Sequence, residues 1–133
     1  MVNIYFVPGI PVPQGSMRAF AVGEKTVVTS SAKGLSGWRG RMYEVLSREC
    51  AGMETGPVRV ALRFQLQRPK SISEKKRRYP QVAPDIDKLA RAALDAMTGV
   101  VYADDAQVCS LAVAKVYADY GQQPGVRIEV EAM

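Results

Sequence analysis

Nine residues from Val58 to Leu66 alternate without a break: Val58, Val60, Leu62, Phe64 and Leu66 against Arg59, Ala61, Arg63 and Gln65. Successive side chains of a strand point to opposite faces, so this pattern requires a strand with one face buried and the other polar. Something must cover the apolar face, and two stretches have the spacing to do so. From Leu35 to Cys50, Trp38, Met42, Leu46 and Cys50 recur every four residues on one side of a helix. From Asp85 to Met97, a second helix turns Leu89, Ala93, Ala96 and Met97 inward, and Gly99 ends it. Further strands are expected at Asn3–Val7, stopped by Pro8, Pro11 and Pro13, and at Lys25–Thr29. Val108–Tyr117 and Val126–Val130 are expected to pair with each other around the Gly121–Gly125 turn. The result is an α+β fold, one domain over residues 1–133, with a mixed β-sheet packed against two main helices. A chain of 133 residues can bury such a core alone.

Histidine is absent, which removes whole classes of chemistry. A Ser-His-Asp or Cys-His nucleophile, an HExxH zinc site and a histidine-based nuclease centre are all excluded. Cys50 and Cys109 stand far apart with no CxxC, so neither a disulfide framework nor a structural zinc site is expected. With oxygen ligands alone, a bound cation would be Mg²⁺, with Mn²⁺ as substitute, rather than zinc. No apolar run is long enough to span a bilayer, and the first residues lack the pattern of a signal peptide. A cytoplasmic protein with no membrane partner and no organic cofactor is expected.

Charge is distributed unevenly. Arg63, Arg68, Lys70, Lys75, Lys76, Arg77 and Arg78 precede residue 80 with only Glu74 opposing them. Residues 68–84 therefore read as a basic, mobile loop facing an anionic partner. Its DNA-binding candidates are Arg68, Lys70, Lys75, Lys76, Arg77 and Arg78, with Arg18 and Lys33 as outliers. Tyr79 is placed either to stack on an unpaired base or to anchor the loop.

Acids follow at once. Asp85 and Asp87 open the second helix, and Asp104 and Asp105 come after it. Brought together, four carboxylates can hold a divalent cation against a phosphate. Each also has a structural reading: Asp85 as a helix cap, Asp87 as a first-turn acid, Asp104 and Asp105 as turn residues. Asp87, Arg91 and Asp95, four residues apart, can form an ion ladder along the helix.

Together these residues resemble the RusA family of Holliday junction resolvases. The family pattern sets D-x-D-N-L-x-K at a helix start, continues through A-x-x-D-A and returns with D-D-x-Q-V into a strand ending in Lys. Here it is matched by Asp85-Ile86-Asp87, Leu89, Ala92 to Ala96, Asp104-Asp105-Ala106-Gln107-Val108 and Lys115. The Gly-x-Pro-x-Pro start at Gly9 to Pro13 is similar as well. The resemblance implies a Mg²⁺-dependent homodimer that binds four-way DNA junctions and resolves them by paired nicks. It implies that Asp85, Asp87 and Asp105 bind the metal, with Asp104 beside them. Two positions depart from the pattern: its Asn is Lys88 here and its Lys is Arg91. Arginine stays protonated and cannot exchange a proton near neutral pH, so Lys88 is expected to have taken over the lysine's role. The alternatives are a DNA-binding protein of the same fold whose catalysis has weakened, and a PD-(D/E)xK nuclease. The latter lacks the acid that should stand two residues before Lys115.

Overall fold

The computed structural model describes residues 2–15, the backbone of residues 17–22 and 25–30, and residues 34–133. In chain order the elements are β1 (Val2–Pro8), β2 (Met17–Val22), β3 (Lys25–Ser30), α1 (Leu35–Glu49), β4 (Val58–Leu66), α2 (Ile86–Met97), β5 (Val108–Tyr117) and β6 (Gly125–Ala132). A single 3₁₀ turn at Asp105–Gln107 leads into β5. β2 and β3 form a separate antiparallel pair.

The main sheet runs β1-β6-β4-β5 and is mixed, as expected. β4 pairs antiparallel with β6 on one side and parallel with β5 on the other. The expected β5–β6 hairpin is therefore corrected: β4 lies between those strands. The helix α2 carries the chain back before β5 begins, which makes β5 parallel to β4. After β5, Ala118 donates to the Leu66 carbonyl at 2.7 Å, and the chain crosses the end of β4 to reach its far edge. There Gly9 donates to the Pro124 carbonyl at 3.0 Å, and β6 fills the gap between β4 and β1.

The alternation of β4 holds residue by residue. Val58, Val60, Leu62, Phe64 and Leu66 are buried, while Arg59 and Arg63 are exposed. Val7, Val126, Ile128 and Val130 continue that apolar face, and Trp38, Met42, Val45 and Leu46 of α1 close over it. α2 adds Leu89, Ala90, Ala92, Ala93, Ala96 and Met97 to the same core. Its alanines are helix-favouring and small, and they let α1 approach closely. No helix among the described residues is long and apolar enough to cross a membrane.

Candidate active site and nucleic-acid face

α2 begins beside the end of β4 and ends beside the start of β5. β4 and β5 lie side by side in parallel, Val58 facing Val108 and Phe64 facing Lys115, so the chain passes through α2 between the end of one strand and the start of the next. Lys115 clasps the entry to the helix: its Nζ donates to the carbonyls of Val82 (2.7 Å) and Pro84 (2.8 Å). Those two bonds hold the backbone immediately ahead of Asp85. The lysine recognised in the sequence as the end of the family pattern thus has a positional role.

Asp85 sits at the N-cap of α2 but makes no capping hydrogen bond. Its carboxylate is 61% exposed, and Oδ2 lies 3.6 Å from the Lys88 ammonium. Asp87 is exposed in the first turn. Arg91 is exposed too, and no ion pair joins it to Asp87 or Asp95 among the described residues, so the expected ladder does not form.

The second acidic pair is at the other end of α2. Val101 donates to the Met97 carbonyl at 2.9 Å and Gly99 to the Tyr102 carbonyl at 2.7 Å, so the turn folds back against the helix end. Tyr102 is fully buried there and donates its hydroxyl to the Leu94 carbonyl at 2.9 Å. Burial, with a smaller contribution from Asp105, drives its phenol far above the usual range. Nothing in the sequence marks this tyrosine beyond its aromatic type.

Asp104 and Gln107 together form a capping box. Asp104 Oδ1 accepts from the Ala106 amide (2.9 Å), and Gln107 Oε1 accepts from the amides of Ala103 (2.9 Å) and Asp104 (3.1 Å). Gln107 Nε2 donates to the carbonyls of Glu54 (2.9 Å) and Gly56 (3.0 Å), which ties the start of β5 to the segment before β4. The D-D-x-Q motif therefore divides: Asp104 and Gln107 build the turn, and they hold out the exposed Asp105.

At about 1.5 Å per residue, the twelve residues of α2 put roughly 18 Å between the Asp85–Asp87 end and the Asp104–Asp105 end. Within one chain the four carboxylates do not converge, and among the described residues no three acids or cysteines are close enough to hold a metal ion. The donors are chemically suited to Mg²⁺, but one chain alone does not assemble them.

Part of the basic tract is held by hydrogen bonds. Arg68 donates to both carboxylate oxygens of Asp119, each at 2.9 Å, and to the carbonyls of Arg77 (2.5 Å) and Arg78 (3.2 Å). Its guanidinium also lies over the Tyr117 ring, 4.1 Å from the centroid. The bond from Arg68 holds the Asp119 carboxyl below the usual range. Arg77 spends its Nε on the Tyr117 hydroxyl at 2.8 Å, and Tyr120 hydrogen-bonds Glu74. Lys70, Lys75, Lys76 and Arg78 remain exposed. Arg78 lies 5.6 Å from the Tyr79 ring centroid, and Tyr79 is 57% exposed, an available stacking surface rather than a buried anchor. Lys33 lies outside the described residues, and the Arg18 side chain is likewise not described.

A mixed four-stranded sheet, two helices on one face and a D-x-D helix start followed by D-D-x-Q-V define a class. Residues 8–131 match the family Endodeoxyribonuclease RusA, and the chain belongs to that family. It is also similar to the "Uncharacterized protein YqaN" of Bacillus subtilis (strain 168), 31% identical over 85 residues, covering 57% of this chain and 58% of that protein. The chain thus spans little more than half the length of that curated relative.

Proposed function

We propose that the chain is a structure-selective endodeoxyribonuclease that resolves four-way DNA junctions by paired nicks, as a homodimer using Mg²⁺ or, in its place, Mn²⁺. The contrast among the acids carries this reading. Asp104 is spent on the fold, whereas Asp85, Asp87 and Asp105 are exposed and their side chains make no hydrogen bond among the described residues. Exposed carboxylates with no hydrogen bond of their own contribute little to the fold and are free to hold a cation at a phosphodiester.

Because one chain parts Asp85 and Asp87 from Asp105, the metal-holding set is completed between two copies. A two-fold arrangement that sets the start of one α2 against the end of the other brings each Asp85–Asp87 pair to the other copy's Asp105 and yields two equivalent sites. The bound cation would polarise the phosphate and activate water. Lys88, adjacent to Asp85, and Arg91, one turn further on, face the charge of the scissile phosphate. Lys70, Lys75, Lys76 and Arg78 take the flanking phosphates. A junction-binding protein without cleavage is the competing reading, favoured by the Lys88 and Arg91 departures.

The test is a synthetic four-way junction and a linear duplex, each incubated with and without Mg²⁺. Junction-only cleavage that Asp87→Asn abolishes supports the nuclease. Tight junction binding with no cleavage in Mg²⁺ or Mn²⁺ supports the competing reading, and equal cutting of plain duplex removes structure selectivity.

A further inference from the structure

Beside the entry to α2 is a cavity of about 180 Å³ that the acids and the exposed cations leave unused. Its walls are apolar, with Pro11, Leu66, Pro80 and Tyr117 among them. Gln67 and Arg77 supply its polar groups. Pro84, which immediately precedes Asp85, also lines it. This is smaller than the roughly 300–1,000 Å³ of pockets for drug-sized molecules, so it admits one small ring system.

The walls are held in place. Arg68 grips the carbonyls of Arg77 and Arg78 and stacks on Tyr117, and Arg77 in turn is bonded to the Tyr117 hydroxyl. Lys115 fixes the backbone of Val82 and Pro84 on the opposite side. A preformed apolar slot with a guanidinium and a carboxamide, between the basic loop and the entry to α2, has the chemistry to take a flat heterocycle on a polyanion. Apolar surface meets the ring faces, and Gln67 and Arg77 can hydrogen-bond its edge.

We propose that this cavity receives a single nucleobase displaced from the stack at the branch point, next to the phosphate presented to Asp85 and Asp87. The inference rests on the DNA reading above and supplies a source of structure selectivity. Extruding a paired base costs a few kcal/mol, and least where a base is already unpaired. At a branch point the stack is interrupted where strands exchange, which lowers that cost relative to continuous duplex.

Junctions carrying 2-aminopurine, or an abasic residue, at the branch point probe the cavity, with 2-aminopurine in an arm as control. Wild type should change the branch-point fluorescence but not the arm signal. It should bind the intact junction about tenfold tighter than the abasic one, given stacking of roughly 1–3 kcal/mol per base. Val82→Trp fills the cavity without touching the main-chain carbonyl that Lys115 uses. It should lose the fluorescence change and bind both junctions with the weaker affinity. Ile10→Trp fills the same cavity from a different segment and should do likewise, which guards against a folding defect in either variant. Retention of both responses in the two tryptophan variants overturns the inference. So does equal wild-type affinity for intact and abasic junctions, while cleavage of the junction would still stand. Failure of wild type to bind any junction overturns this inference and the nuclease reading together.

Discussion

Arg68 and Asp119 form a bidentate ion pair across 51 residues of sequence, with both nitrogen–oxygen distances at 2.9 Å. The pair links the end of the β5 region to the basic loop. Hydrogen bonding from Arg68 lowers the Asp119 pKa below its ordinary 3.8. A carboxyl depressed on folding stabilises fully above its ordinary value, and that contribution is lost as pH falls through the lower, folded value. The Arg68 Nε–H resonance should therefore stay protected from solvent exchange at pH 5 and lose protection only below about pH 3.8. In Asp119→Ala, which leaves no acceptor, it should be unprotected at every pH, and persistent protection in that variant refutes the clamp.

Asp104 and Asp105 should separate cleanly. Asp104→Ala removes a cap and should lower stability by about 1 kcal/mol in urea unfolding while retaining part of the cleavage. Asp105→Asn should leave stability within about 0.5 kcal/mol and reduce junction cleavage at least a hundredfold. The reverse ordering would exchange their roles.

Lys88 and Arg91 offer a second contrast. With Lys88 beside Asp85, Lys88→Ala should reduce single-turnover cleavage far more than Arg91→Ala does. Mg²⁺-dependent cleavage unchanged by Lys88→Ala but abolished by Arg91→Ala would return the family lysine's role to position 91.

Mixing two dead variants tests the sharing of acids between copies. In a mixed dimer of Asp87→Asn and Asp105→Asn chains, one site carries both substitutions and the other carries neither. Mixed preparations should then nick one strand of a junction, although each variant alone is inactive. If both acids served within one chain, mixing would restore nothing.

Gly125 begins β6 where it meets β1. A Cβ there would lie 2.3 Å from the Val7 carbonyl oxygen, a backbone atom with no room to retreat. Gly125→Ala should destabilise by roughly 1–3 kcal/mol, read as a lower denaturation midpoint with unchanged slope.

The parts of this fold that could be read from sequence are those with a period. β4 alternates because one face is buried, and α2 declares itself through Leu89, Ala93 and Met97. β2 is not legible in sequence because Met17, Ala19 and Ala21 alternate with Arg18, Phe20 and Val22, leaving no polar face to mark a strand. The partner of β5 is not legible in sequence because pairing is a tertiary choice, and β4 accepts a neighbour on either edge. The separation of the acids is not legible in sequence: a gap that looks short contains a helix that spends its length in one direction. Arg68 looked like every other cation in its run, since nothing local points to Asp119.

The placement of α2 has a bearing on how the proposed nuclease would be kept in check. If cutting needs acids from two chains, a newly made chain is inert, and below the dimerisation threshold activity rises with the square of concentration rather than in proportion to it. A cell holding few copies would be spared stray nicks by dilution alone, with no inhibitor required.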